Sequence, residues 1–154
     1  KLRGKTPIIY SSWNNKALAY AWKVKFNETA KIPAFFNVFP ELNHNEMVGF
    51  LEQGVAPDLP AEAGGVCGGV VNPHFIFLKD QEDHSRIQKR MDITETMLKE
   101  KGFLADILNL DKEMFSKIFN SLALADWASY YMAKNFGLDP EDSSIIEEFK
   151  KKIK

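Results

Sequence analysis

The 154-residue chain holds a single cysteine, Cys67, so it forms no internal disulfide and gives no sign of an oxidising compartment. Cys67 reads as an inert thiol, and the cytoplasm is the expected location. Long apolar runs are missing too: Pro73–Leu78 is too short to cross a bilayer, and Leu122–Ala133 is broken by polar residues. Lys1–Thr6 leads straight into Pro7-Ile8-Ile9-Tyr10, without the apolar core and small-residue cleavage site of a secretory signal. Neither sign of charge is in surplus. Lys and Arg number 20 against 21 Asp and Glu, a formal net charge of −1, which leaves no basic field for nucleic acid or acidic lipid. The expectation is a soluble chain with neither nucleic acid nor membrane as partner. No Gly-x-Gly-x-x-Gly follows the first apolar run and no Gly-Lys-Ser/Thr loop occurs, so dinucleotide and nucleoside-triphosphate binding lack their mechanical parts. His44-x-Glu46 has no second spaced pair of ligands, so no metal site is assigned.

What is present fits one domain spanning the whole chain: a hydrophobic content of 45% at this length fills one core. Thr6–Ser12 reads as a strand, and Trp13–Glu28 as a helix because Leu18, Trp22 and Phe26 recur every four residues. Pro33–Phe39, bounded by Pro33 and Pro40, reads as a buried strand, and His44–Gln53 as a helix. Gly54–Asn72, with Gly64-Gly65 and Gly68-Gly69, is expected to be a mobile loop. Phe75–Leu78 resembles a buried parallel strand, and Asp83 is placed to cap a helix from His84 to about Gly102. Leu104–Leu110 reads as a fourth strand. Asp111 is then placed to cap a helix running through Met114, Ile118 and Leu122 toward Lys134, stopped by Asn135-Phe136-Gly137. Ser144 or its neighbour caps a last helix, Ile145–Ile153. Strands alternating with amphipathic helices predict a three-layer α/β fold: a mainly parallel sheet of four or five strands, covered on both faces. Ligands in such sheets bind beyond the carboxyl ends of the strands. Trp13, Trp22, Phe26, Phe35, Phe36 and Trp127 read as core.

The densest polar cluster, Glu41-Leu42-Asn43-His44-Asn45-Glu46, follows the Phe35–Phe39 run and so falls at a strand's carboxyl end. Carboxylates, amides and an imidazole together can move protons and hold hydroxyl groups, and they can equally build caps and turns. Glu28 closes its helix against the macrodipole, which local helix stability does not explain. A solvated helix-end acid is the plain alternative. His84 and Arg86, at a helix start, are weaker candidates for a cleft, and His74 reads as structural.

Thr6-Pro7-Ile8-Ile9-Tyr10, Ala19-Tyr20-Ala21-Trp22-Lys23, Lys25-Phe26-Asn27-Glu28-Thr29-Ala30-Lys31 and Phe39-Pro40-Glu41-Leu42-Asn43-His44-Asn45-Glu46 resemble the bifunctional phosphoglucose/phosphomannose isomerases, the last two motifs most specifically. Weaker similarity continues through His84-Ser85-Arg86-Ile87, Ala125-Asp126-Trp127-Ala128-Ser129 and Ile146-Glu147-Glu148-Phe149-Lys150. Members of that family carry two sugar isomerase (SIS) domains, and this chain resembles the C-terminal one. The resemblance implies interconversion of glucose 6-phosphate and fructose 6-phosphate, with mannose 6-phosphate as a second substrate, through a cis-enediol intermediate. It implies Glu28 as the base, His44 as the ring-opening histidine reaching across from a neighbouring subunit, and Lys150 as a lysine assisting ring opening, with Lys151 and Lys152 one slip away. Asn43, Asn45 and Glu46 fall beside His44 as substrate-binding candidates. The implied partners are a sugar phosphate, the N-terminal SIS domain that cradles its phosphate, and a second copy in a homodimer. That chemistry requires no metal or organic cofactor. The competing reading is a non-catalytic sugar-phosphate-binding or regulatory SIS module, because the Ser/Thr-rich phosphate cradle is not in this segment. The Gly54–Asn72 loop departs from the family pattern by being longer.

Overall fold

The structure, a computed structural model, describes residues 2–52 and 72–153. Its elements are β1 (Thr6–Ser12), α1 (Lys16–Glu28), β2 (Phe35–Phe39), a 3-10 turn (Glu41–Asn43), α2 (Glu46–Leu51), β3 (Pro73–Lys79), α3 (Ser85–Glu100), β4 (Leu104–Asn109), α4 (Met114–Asn135) and α5 (Ser144–Lys152). Most of the expected Gly54–Asn72 loop, Cys67 included, lies outside the described residues.

β1 to β4 form one parallel sheet in the order β2-β1-β3-β4. Apolar side chains alternate to both faces of its central strands. Ile8, Tyr10, Phe75 and Phe77 pack on one side under α2 and α3, and Ile9, Ile76 and Leu78 on the other under α1 and α4. A strand buried on both faces is the signature of a covered parallel sheet, and the three-layer expectation holds. The first layer is aromatic. The Tyr10 ring lies 5.4 Å from Phe77 and 5.5 Å from Phe75, and Phe50 meets Phe75 edge-on at 5.0 Å. Each such pair contributes about 0.5–1.5 kcal/mol beyond its buried area. On the opposite face Trp22, 2% exposed, donates its indole N–H to Ser121 Oγ at 2.9 Å and ties α1 to α4. Gly102 and Gly137, at φ of 88° and 70°, turn the chain out of α3 and α4 in a conformation open to glycine without steric cost.

Three sequence expectations change. α3 is capped by His84, whose Nδ1 accepts from the Arg86 N–H at 3.2 Å, because Asp83 turns back to accept from Asn14 at 3.2 Å. Asp111 does not cap α4 but accepts from Asn120 Nδ2 at 2.9 Å. Trp22 and Phe26 are core, whereas Trp13, Phe35 and Trp127 are exposed: periodicity marks an apolar face without saying what covers it.

Candidate active site

The chain's strand order reverses between β1 and β3, and the crevice beyond their carboxyl ends is where a ligand is expected. Polar side chains of this chain line it, around a cavity of about 550 Å³. Buried Asn15, just past β1, donates to Asp80 Oδ2 at 3.0 Å and Ser12 Oγ at 3.1 Å. Lys117 of α4 donates to Asp80 Oδ2 at 2.6 Å and to Glu82 Oε2 at 2.9 Å. Burial alone would raise the Asp80 carboxyl. The hydrogen bonds from Lys117, the Glu82 N–H and Asn15 outweigh it and hold Asp80 below its ordinary value. The bonds that Lys117 donates, to the Asp80 carboxylate first and then to that of Glu82, raise its ammonium. With Asp83 buried beside them, one lysine faces three carboxylates, so this crevice repels a phosphate.

The Glu41–Glu46 motif stands at the carboxyl end of β2, as its position in the sequence implies, and most of it is spent on building a turn. Asn43 donates to Thr94 Oγ1 at 3.0 Å and accepts from Arg90 at 3.1 Å. Asn45 caps α2, accepting the Glu46 N–H at 2.6 Å, and reaches Glu41 Oε1 at 3.3 Å. Glu46 lies against Tyr10. Burial first, then the adjacent Glu46 carboxylate, push the Tyr10 phenol well above its ordinary value. His44 closes the 3-10 turn through its backbone N–H, 2.9 Å from the Glu41 carbonyl, and its exposed imidazole has no hydrogen-bond partner among the described residues. The turn thus leaves the His44 imidazole free and exposed, while Glu46 Oε2 is buried without a hydrogen-bond partner among the described residues.

Glu28 lies at the other end of the sheet. In a β-α-β unit with parallel strands the helix must return to the amino edge, and α1 does so over 13 residues, about 20 Å of travel. The expectation that Glu28 and His44 share the ligand-binding edge of one domain is corrected on this ground. The Glu28 carboxylate is exposed, without a partner among the described residues. Its carbonyl accepts from Lys31 Nζ at 2.6 Å, and the same ammonium reaches the Asp142 carbonyl and, at 3.5 Å, that of Pro140. Lys31 holds φ at 58°, a left-handed conformation that costs a non-glycine residue about 1–2 kcal/mol. It clasps the segment leading into α5 against the end of α1. Lys150 projects from α5, exposed and paired with Glu147 at 2.7 Å, with Lys151 and Lys152 following.

Residues 1–153 match the family described as the bacterial phospho-glucose isomerase C-terminal SIS domain. The chain belongs to this family. It is similar to the bifunctional phosphoglucose/phosphomannose isomerase of Thermoplasma volcanium, 34% identical across 96% of this chain and 42% of that protein. The enzyme of the same name from Caldicellulosiruptor bescii is 35% identical across 99% of the chain and 42% of its own length. A glucose-6-phosphate isomerase like protein from Thermus thermophilus shares the fold, with a TM-score of 0.64 at 18% identity, over 96% of this chain and 43% of that one. The chain therefore spans less than half the length of these relatives.

This SIS domain separates its candidate residues in a way the sequence did not disclose. His44, Asn43, Asn45 and Glu46 come together at one edge, and Glu28 is brought to the α4–α5 connection at the other. Sequence reasoning missed Lys31 and Lys117. Lys31 sits inside a motif that carries the resemblance, and its role follows from a backbone angle. Lys117 acts through groups 35 and 37 residues away, which only the fold makes neighbours. No helix among the described residues is long and apolar enough to cross a membrane.

Proposed function

We propose that this chain is the proton-transfer half of a phosphoglucose/phosphomannose isomerase. Glu28 removes the C2 proton of the open-chain aldose, its electron pair forms the C1=C2 bond of a cis-enediol(ate), and the proton returns to C1. His44 moves the ring-oxygen proton that opens the pyranose, and Lys150 handles hydroxyl protons. The observation that carries the reading is the turn in which the Glu41, Asn43 and Asn45 side chains are engaged while the His44 imidazole is left free and exposed. The phosphate is held by the other SIS domain of the longer protein, in keeping with a strand-end crevice here that sets three carboxylates against one lysine.

With Glu28 and His44 at opposite ends of one domain, a working site takes Glu28 from one subunit and His44 from a second copy in a dimer. The test is subunit complementation in the two-domain protein. Glu28→Gln and His44→Ala are each nearly inactive alone. Co-expressed, half of the dimers are mixed, each holding one intact site out of two, so activity returns to about one quarter of the unmutated level. No recovery in verified mixed dimers sinks the shared-site reading.

A further inference from the structure

α3 carries an electrostatic burden that its own stability does not explain. Arg86, Lys89 and Arg90 crowd its first six residues, where the macrodipole is positive and the first turn holds no acid. They are spaced so that Arg86 faces both others at like-charge distance, which destabilises a helix. The acids that could relieve them are engaged elsewhere: Asp92 pairs with Lys79, and Glu95 with Lys99. None of the three cations has an ion-pair partner among the described residues. Together with Asn43 and Thr94, and with Met47 and Ile93 as its apolar floor, they line a hollow of about 420 Å³ between α3 and the His44 turn. The Arg90 guanidinium is already aimed, with Nη1 held 3.1 Å from Asn43 Oδ1.

We propose that this hollow is a second anion site, for the phosphoryl group of a small phosphorylated molecule. Two guanidinium forks match phosphate oxygens bidentately, and Lys89 adds a point charge. A bound dianion would neutralise the like charges, complement the helix dipole and draw on Arg90, whose other partner sits next to His44. The site is therefore placed to report its occupancy to the His44 turn. It does not depend on the isomerase reading, and its test uses no turnover.

The experiment titrates the isotope-labelled chain with inorganic phosphate and with pyrophosphate at low ionic strength, reading amide shifts by NMR. Shifts are expected over Arg86–Thr94 and at Asn43 and His44, saturating with one affinity per probe. Changing Arg86 and Lys89 together to Gln should weaken binding by about tenfold or more, as expected for the loss of two charge-assisted contacts. Both residues are exposed, so the fold should persist, as circular dichroism can verify. Lys101→Gln, at the far end of α3, should leave affinity unchanged. Unaltered affinity in the double variant, or shifts spread evenly over the surface lysines, overturns the proposal.

Discussion

Replacing Lys117 by Met tests whether the polar network at the strand ends is held by charge. The substitution keeps the apolar stem and deletes an ammonium that lies 2.6 Å from Asp80 Oδ2, with the two side chains only 12% and 6% exposed. Asp80 keeps Asn15 Nδ2 at 3.0 Å and the Glu82 N–H at 2.9 Å, so it is weakened rather than orphaned. Breaking a fully dry ion pair from one side costs about 3–5 kcal/mol. Because the Glu82 side of the network opens to water, the expected loss here is about 2 kcal/mol, or about 4–8 °C in Tm for a chain of this size. The pH dependence identifies the cause. Asp80 is depressed in the native state, so its stabilisation is present above the ordinary value of 3.8 and is lost as pH falls through its lower native pKa. Lys117 is raised, so its share is present below 10.5 and is lost as pH rises through its higher native pKa. In the variant, only the Glu82 N–H and Asn15 oppose burial, so Asp80 should titrate higher than in the unmutated chain. Urea unfolding of both proteins across this range should show the widest gap near neutrality, closing in acid. A gap that does not change with pH would refute the electrostatic account and leave only packing of the lysine stem.

In the two-domain protein, Glu28→Gln should nearly abolish solvent-deuterium exchange at C2 while sugar-phosphate binding persists; near-normal exchange by mass spectrometry would remove Glu28 as the base. The 154-residue chain alone should turn over little sugar phosphate in a coupled assay, because proton-transfer groups without a phosphate anchor lose the orienting energy of remote binding. Ser121→Ala leaves the Trp22 indole N–H buried without its acceptor and should cost about 1–3 kcal/mol, read as a lowered denaturation midpoint at unchanged m-value.

The strands were legible because their composition is extreme. Thr6–Ser12 emerges with its expected bounds, and Phe75–Leu78 extends by residues at each end to Pro73–Lys79. Helix stops at Gly102 and Gly137 were legible from glycine chemistry. Caps were not, since Asp83 and His84 are both competent and the choice depended on Asn14, distant in sequence. The His44 turn was found at a strand end because it follows an apolar run directly. Glu28 was misplaced because adjacency along the chain says nothing about which edge a returning helix reaches. The pair of buried His74 and half-buried Asp106, 2.8 Å apart on neighbouring strands, needed the β3–β4 register to be seen.

The Lys31 clasp gives α5 the mechanics of a lever. No α5 side chain is buried, and Ile145, Ile146, Phe149 and Ile153 are all at least half exposed, so this helix is secured near its first residues rather than along its length. Lys150 stands six residues beyond that fulcrum, an arm of about 9 Å. A tilt of about 10° at the foot swings it by about 1.5 Å, a displacement of the size that costs a proton-transfer group most of its rate. The aim of the proposed catalytic lysine is therefore set at a distance, by the strained residue three positions after the proposed base and by whatever surface comes to rest against the apolar side of α5.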